Sequence, residues 1–365
     1  MRISILKGLI GGFFFVSTAL VAQSQNPVIT LEDVPDDLQT ITPDEPIAAE
    51  FSPAKAAQYL DQASLTWQKK KKCATCHTNM SYMMARPALS SFQKDSGEVR
   101  AFYEAYPNEH WKKKPPSEKQ GFWTIVVGTG LTFNDLQTTG KLSDVTREAL
   151  DLIWTVQRED GGWRWPHCDY APLEIDDHFG VTLAALTIGI APDNYAETPA
   201  AKAGLEKLRG YLKNDPPKSL HHRAMLAWCS IRVDGIATDA ERAKALEELM
   251  ALQLPDGGWS TASFLTDWRG GIKREDGKPL DVKTSDGYGT GFVTIIAREM
   301  EVPANDPRLQ KSVAWLKSNQ REGGKWFTKS PVNHARNLIS NIGSAYAVLA
   351  LQACGELGET SPLGK

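Results

Sequence analysis

Five consecutive residues, Cys73-Ala74-Thr75-Cys76-His77, bring two thiols and an imidazole together at a spacing with definite chemistry. Two cysteines separated by two residues can add to the two vinyl groups of a haem, and the histidine that follows then reaches the iron from one side. This is the attachment sequence of c-type haem. The same pair could close a redox-type disulfide, or supply half of a zinc site, although the chain holds no second Cys-x-x-Cys pair to complete one. Haem c is the cofactor expected, with Cys73 and Cys76 binding the porphyrin and His77 the iron. Met80, Met83 and Met84 follow too closely to reach the opposite iron face, so His110 is the candidate second axial ligand. Without it the iron would be five-coordinate. Cys168, Cys229 and Cys354 are left over.

A second constellation, Glu174-Ile175-Asp176-Asp177-His178, opens an apolar run. A carboxyl group kept protonated by burial and a nearby like charge can protonate an alkene or epoxide. Asp176, Asp177 and His178 are taken as candidate catalytic residues, with His178 a candidate hydrogen-bond partner of Asp176. Aspartate at the start of a helix is equally an ordinary cap. Glu174, His221, His222, His334 and Arg336 complete the set as candidate substrate-binding residues.

These residues need elements to position them, and the chain supplies a repeat. Leu150–Gln157, Leu246–Gln253 and Val313–Gln320 are amphipathic runs ending in Gln, followed by Asp160-Gly161-Gly162-Trp163, Asp256-Gly257-Gly258-Trp259 and Gly323-Gly324-Lys325-Trp326. The glycine pair stops the helix each time. More apolar helices then follow over Phe179–Ile190, Gly291–Met300 and Ile342–Cys354. Degenerate copies begin at Ala54–Gln68, where Cys73 to His77 stands in place of the glycines, at Glu98–Tyr106 before Trp123–Leu131, and at Leu205–Lys213 before Met225–Ile231. A helix with one apolar stripe must pack on one that is apolar nearly all round, and no single pair buries its inner face alone. The expectation is all-α: six outer–inner hairpins over residues 51–357, closed as an (α/α)6 toroid, with an open solenoid as the alternative. The loops from outer to inner helices, about 69–86, 107–121, 158–177, 214–223, 254–289 and 321–340, lie at one end. They hold His77, His110, His167, His221, His222 and His334, with His178 at an edge. That end is the expected functional face.

The Gln-x-x-Asp-Gly-Gly-Trp segments resemble the glutamine–tryptophan repeats of squalene–hopene and oxidosqualene cyclases, relatives of protein prenyltransferase β-subunits. The resemblance implies the toroid, gives Gln157, Trp163, Gln253, Trp259, Gln320 and Trp326 a structural role, and implies a hydrophobic, isoprenoid-like ligand in an apolar cavity. Glu174 to Asp177 resembles the Asp-x-Asp-Asp motif of class II terpene cyclases, with Glu174 in place of the first Asp; by position Asp176 would be the proton donor.

At the N-terminus, Arg2 and Lys7 precede an apolar stretch from Leu9 to Ala22, the anatomy of a secretory signal peptide over residues 1–22. An uncleaved anchor is the alternative, and no later stretch is long enough to span a membrane. Residues 23–50, with Pro27, Pro35, Pro43, Pro46 and several acids, read as an extended acidic linker, and 358–365 as a tail. A net charge of −3 without a basic stripe excludes a nucleic-acid partner. The protein expected is therefore periplasmic or secreted: a haem-bearing toroid that binds or converts a hydrophobic small molecule, with a redox partner. The alternatives are a class II terpene cyclase-like isomerase using Asp176, a polysaccharide-processing ring using Arg336, His334 and His222, and a non-catalytic haem- or ligand-binding module.

Overall fold

The computed structural model describes residues 27–168, 170–268, 271–332 and 335–358. The leader expected over 1–22, the first residues of the linker, His334 and nearly all of the tail lie outside them. The fold is all-α: among the described residues the β features are two isolated bridges, Ile47 with Arg321 and Tyr170 with Glu174. The helices are α1 (Pro53–Lys71), α2 (Asn79–Ala85), α3 (Glu98–Ala105), the single turn α4 (Trp111–Lys113), α5 (Gly121–Thr138), α6 (Asp144–Thr155), α7 (His178–Ile190), α8 (Pro199–Asn214), α9 (Leu220–Cys229), α10 (Asp239–Ala251), α11 (Gly287–Glu299), α12 (Pro307–Ser318) and α13 (Ile339–Ala353). Local chemistry sets their starts. Ser52, Ser143, Thr198, Ser219, Thr238 and Asp286 each turn a side-chain oxygen onto a first-turn N–H, and proline opens α1, α8 and α12.

Burial separates the helices into two kinds. In α6 the buried residues are Thr146, Ala149, Leu150 and Ile153, one stripe at helical spacing, whereas α7 is buried along almost its whole length. The apolar helices form a succession: α2 packs against α5, α5 against α7, α7 against α9, α9 against α11, α11 against α13, and α13 against α2. The striped helices α6, α8, α10 and α12 pack against α5, α7, α9 and α11, the apolar helices that precede them in the chain. The stretch 69–86, expected as loop, is helical from Asn79 onward. The acidic segment expected as a linker packs onto the helices: Val34 and Ile41 are buried, Leu31 N–H donates to Glu98, and Ala48 N–H donates to the Gln320 carbonyl.

The three complete repeat turns use their residues identically. Trp163, Trp259 and Trp326 are fully buried, and each indole N–H donates to the carbonyl ten residues earlier: Ile153, Leu249 and Leu316, at 2.9, 2.8 and 2.7 Å. These carbonyls belong to the last turns of α6, α10 and α12, where the regular helical donors run out. The Gln157 amide donates to Gly161 O and Gly204 O, Gln253 to Gly257 O and Arg308 O, and Gln320 to Gly324 O and Ser52 O. Each glutamine thus fastens its own turn to another striped helix or its cap. The last also accepts from Ser52 N–H at 2.7 Å, joining residues 268 positions apart. Gly161, Gly257 and Gly324 have φ of 91°, 94° and 93°, and a Cβ there would meet the carbonyl oxygens of Lys207, Lys311 and Lys55 at 2.0, 2.7 and 2.0 Å. Only glycine serves both demands.

Candidate functional site

The Cys73–His77 loop is pinned from several sides. The Trp67 indole donates to Cys73 O at 3.0 Å, Thr75 N–H donates to Asn79 Oδ1 at 2.9 Å, and the Tyr106 hydroxyl accepts from Ala74 N–H at 2.9 Å. So held, Cys73, Ala74, Thr75 and His77 line a cleft of about 810 Å³. Trp67, Phe122, Trp123 and Trp165 give it aromatic walls, and Lys119, Arg158 and Arg164 bring three cations to it. The His77 ring lies edge-on to Trp67 at 4.7 Å and 4.9 Å from the Tyr170 ring. Its Nδ1 sits 2.7 Å from the Thr78 hydroxyl, which in turn accepts from Asn341 at 2.9 Å.

Cys73 is half-buried and Cys76 fully buried, and they are not bonded to each other. Cys76 Sγ donates to Glu174 Oε1 at 3.2 Å, while Cys168 Sγ donates to the other oxygen of that carboxylate at 2.6 Å. Glu174 lines the cleft, so the Cys76 thiol lies one side chain beneath its wall. Burial pushes the Cys76 thiol well above its ordinary range, with the Glu174 charge adding to the effect, and burial raises Cys73 too. Neither is poised as a thiolate nucleophile.

The acidic cluster divides. Asp177 accepts from Arg158 at 2.6 Å, from Trp165 N–H at 3.3 Å and lies 2.9 Å from His167 Nε2. The N–H two residues after the repeat tryptophan meets an acceptor in all three turns: Asp177 for Trp165, Asp286 for Thr261 and Ser340 for Thr328. Asp177 is therefore the repeat's own fastening and not an acid's partner. Asp176 points elsewhere and is buried. Its Oδ1 accepts from His178 N–H at 3.0 Å and its Oδ2 from the Trp268 indole at 3.2 Å. The expected side-chain bond from His178 is replaced by one from its backbone.

The His178 ring stacks on His222 at 4.0 Å with 5° between the planes, and both its nitrogens are buried without a hydrogen-bond partner. His222 Nδ1 accepts from Lys218 N–H at 3.2 Å, which leaves the proton on Nε2, 3.4 Å from Asp176 Oδ1. His221 Nε2 lies 2.8 Å from the Tyr288 hydroxyl. Burial, and for His178 next the neighbouring His222, pushes His178 down to about 3; burial first and then Lys218 puts His222 at about 3; His221 is driven well below its ordinary value by burial and then His222. All three are neutral imidazoles at pH 7. The structure brings Asp176, His178 and His222 together, and separately Cys73, His77, Glu174 and Asp177 around the cleft.

The remaining candidates lie apart. His110 is exposed, with its ring against Tyr106 at 5.4 Å, and it does not line the cleft. Arg336 donates to the Leu38 carbonyl and its own carbonyl accepts from Ile41 N–H, so it braces the N-terminal segment where a substrate contact was expected. His334 lies outside the described residues. Among the described residues no group of three or more His, Cys, Asp or Glu side chains is arranged to hold a metal ion, and no helix is long and apolar enough to cross a membrane. Trp165, one of the aromatic residues beside the acidic cluster that the sequence offers as pocket lining, does line the cleft, whereas its cations escaped the sequence reading, although Arg158 directly follows the repeat glutamine and Arg164 the repeat tryptophan. Nothing in the sequence pointed to Trp268. No family model matches the chain, and no curated protein matches it.

Proposed function

We propose that this chain is an exported (α/α)6 toroid that holds a covalent c-type haem in the cleft beside Cys73–His77. The succession of helix contacts from α2 through α13 to α2, and the Gln320–Ser52 bonds between distant chain segments, support the closed ring. The observation that carries the haem is the cleft itself. The attachment loop forms one side of an aromatic-walled space of about 810 Å³ with three cations around it.

Each part of the cleft has a task in that reading. Cys73 and Cys76 provide the thioether sulfurs, Cys76 after turning from its bond to Glu174. With Nδ1 on the Thr78 hydroxyl, His77 would offer Nε2 to the iron, the usual way an outer partner fixes a ligand's orientation. Lys119 and Arg164 would pair with the propionates, Arg158 being held by Asp160 and Asp177, and Trp67, Phe122, Trp123 and Trp165 would shield the porphyrin from water. The bound haem would supply one-electron redox chemistry. The same apolar walls suit a hydrophobic, isoprenoid-like molecule beside it.

The test is a reduced pyridine haemochrome spectrum with intact mass, on protein exported by a host able to attach c-type haem. A c-type band and the added mass of a haem are expected, and both disappear in Cys73→Ser/Cys76→Ser. Folded protein lacking both signals overturns the assignment. Haem without turnover of any hydrophobic compound makes the protein a haem-binding module.

A further inference from the structure

We propose that Cys76 and Cys168 form a disulfide in the exported chain before any haem is attached. The bridge follows from the contacts of these residues alone; only its consequence for haem attachment rests on the reading above.

The geometry singles out this pair. Two thiols 92 positions apart donate to the two oxygens of one buried carboxylate, at 3.2 and 2.6 Å. Cys73, the neighbour a Cys-x-x-Cys sequence would suggest, does not share this carboxylate: the thiols that donate to Glu174 are those of Cys76 and Cys168. The loop carrying Cys168 is itself fixed, since Cys168 N–H donates to Glu174 O and Tyr170 bridges to Glu174. A disulfide spanning so long a stretch also constrains the unfolded chain far more than one between neighbours.

Exposure sets the order of events. Cys168 is exposed and Cys76 buried, so a small-molecule disulfide such as oxidised glutathione meets Cys168 first. The Cys168 sulfur displaces one thiol of that disulfide and forms a mixed disulfide. Cys76 then attacks the Cys168 sulfur of the mixed disulfide, its proton passing to the second thiol as that thiol is released. Two protein thiols are oxidised by two electrons, one disulfide is reduced to two thiols, and the protons leave on the released thiols. The bridge withholds Cys76 from Cys73 and from a vinyl group, so haem attachment through Cys76 would require its reduction. Export and attachment would thereby be ordered by redox state.

The experiment uses the full chain exported by a strain lacking haem attachment. It is alkylated on unfolding and digested with trypsin without reductant. A peptide containing Cys76 linked to the peptide containing Cys168 is expected, lost on reduction, kept in Cys73→Ser and lost in Cys168→Ser. A Cys73–Cys76 bridge within one peptide, or alkylation of every thiol, overturns the proposal. A second measurement follows bridge formation from the reduced protein with oxidised glutathione; the wild type and Cys73→Ser are expected to form it at equal rates, and loss of the bridge in Cys73→Ser overturns the pairing. The two readings fail separately. Haem attachment without the bridge leaves the cofactor standing, and the bridge without haem does the reverse.

Discussion

The turn after α12 and the turn after α1 occupy corresponding places in the repeat and have opposite characters. After α12, Gln320 makes three hydrogen bonds to Ser52 and Gly324, Trp326 satisfies the Leu316 carbonyl, and Gly324 presses against Lys55. In the first repeat the corresponding glutamine of the sequence pattern is Gln68, but α1 runs on past it to Lys71, and the Gln68 Oε1 is buried without a hydrogen-bond partner. The residues that follow it are lysines and the Cys73–His77 loop in place of Gly-Gly-Trp. The indole here is Trp67, which turns onto the loop's own Cys73 carbonyl and forms a wall of the cleft. A repeat turn released from fastening a neighbour is free to carry chemistry. At the first turn the repeat's tie is missing and a cleft stands beside it.

The contrast is most sharply tested where the tie is strongest. Trp326→Ala removes a fully buried indole and its bond to Leu316. It should lower stability by about 3–5 kcal/mol, read as a fall in the urea midpoint at unchanged slope. Gln320→Met comes next. It leaves the Ser52 N–H and two carbonyls without their partner, and should cost about 2–3 kcal/mol in the same measurement. A loss below about 0.5 kcal/mol would mean that these bonds do not hold the ends of the chain together.

The complete turns were legible because their parts are local. A helix-ending Gln, a glycine forced to positive φ and a tryptophan bonded ten residues back all lie within one short window. Where contacts are long-range, legibility failed. Glu174 receives a thiol from 98 positions away, and nothing near it announces Cys76. Asp177 looked like an acid's partner because a fastening carboxylate and a catalytic one have the same letter; only its equivalence with Asp286 and Ser340 in the other turns separates them. The helix α2 was hidden by its brevity, seven residues, and by buried polar side chains such as Asn79 and Ser81 that break an apolar pattern.

A smaller effect separates the fastening turns from the buried imidazoles beside them. His178 and His222 are held near 3 in the folded chain, while unfolding restores an ordinary value of about 6.5. The folded state therefore binds fewer protons, and stability is full above pH 6.5 and falls as pH drops toward 3. Between pH 7 and 5.5 the expected loss is about 1 kcal/mol for each such histidine. Urea midpoints across that interval check it, and in His222→Asn the dependence should weaken by about one proton's worth. A flat profile would show that these imidazoles already find a proton when folded.

The smallest effect is the most pointed. In Gln68→Met the side chain keeps its length and loses its polar end. If the first turn fastened the ring as the others do, the change would cost as much as it does at Gln320. Because the Gln68 Oε1 is already buried without a donor, replacing it relieves a desolvated acceptor and breaks no tie to that atom. The expected change lies between zero and a gain of about 1 kcal/mol, opposite in sign to Gln320→Met. Measured together, the two substitutions place one chemical change at corresponding positions of one repeat. Equal losses at both would remove the distinction on which the special role of the first turn rests.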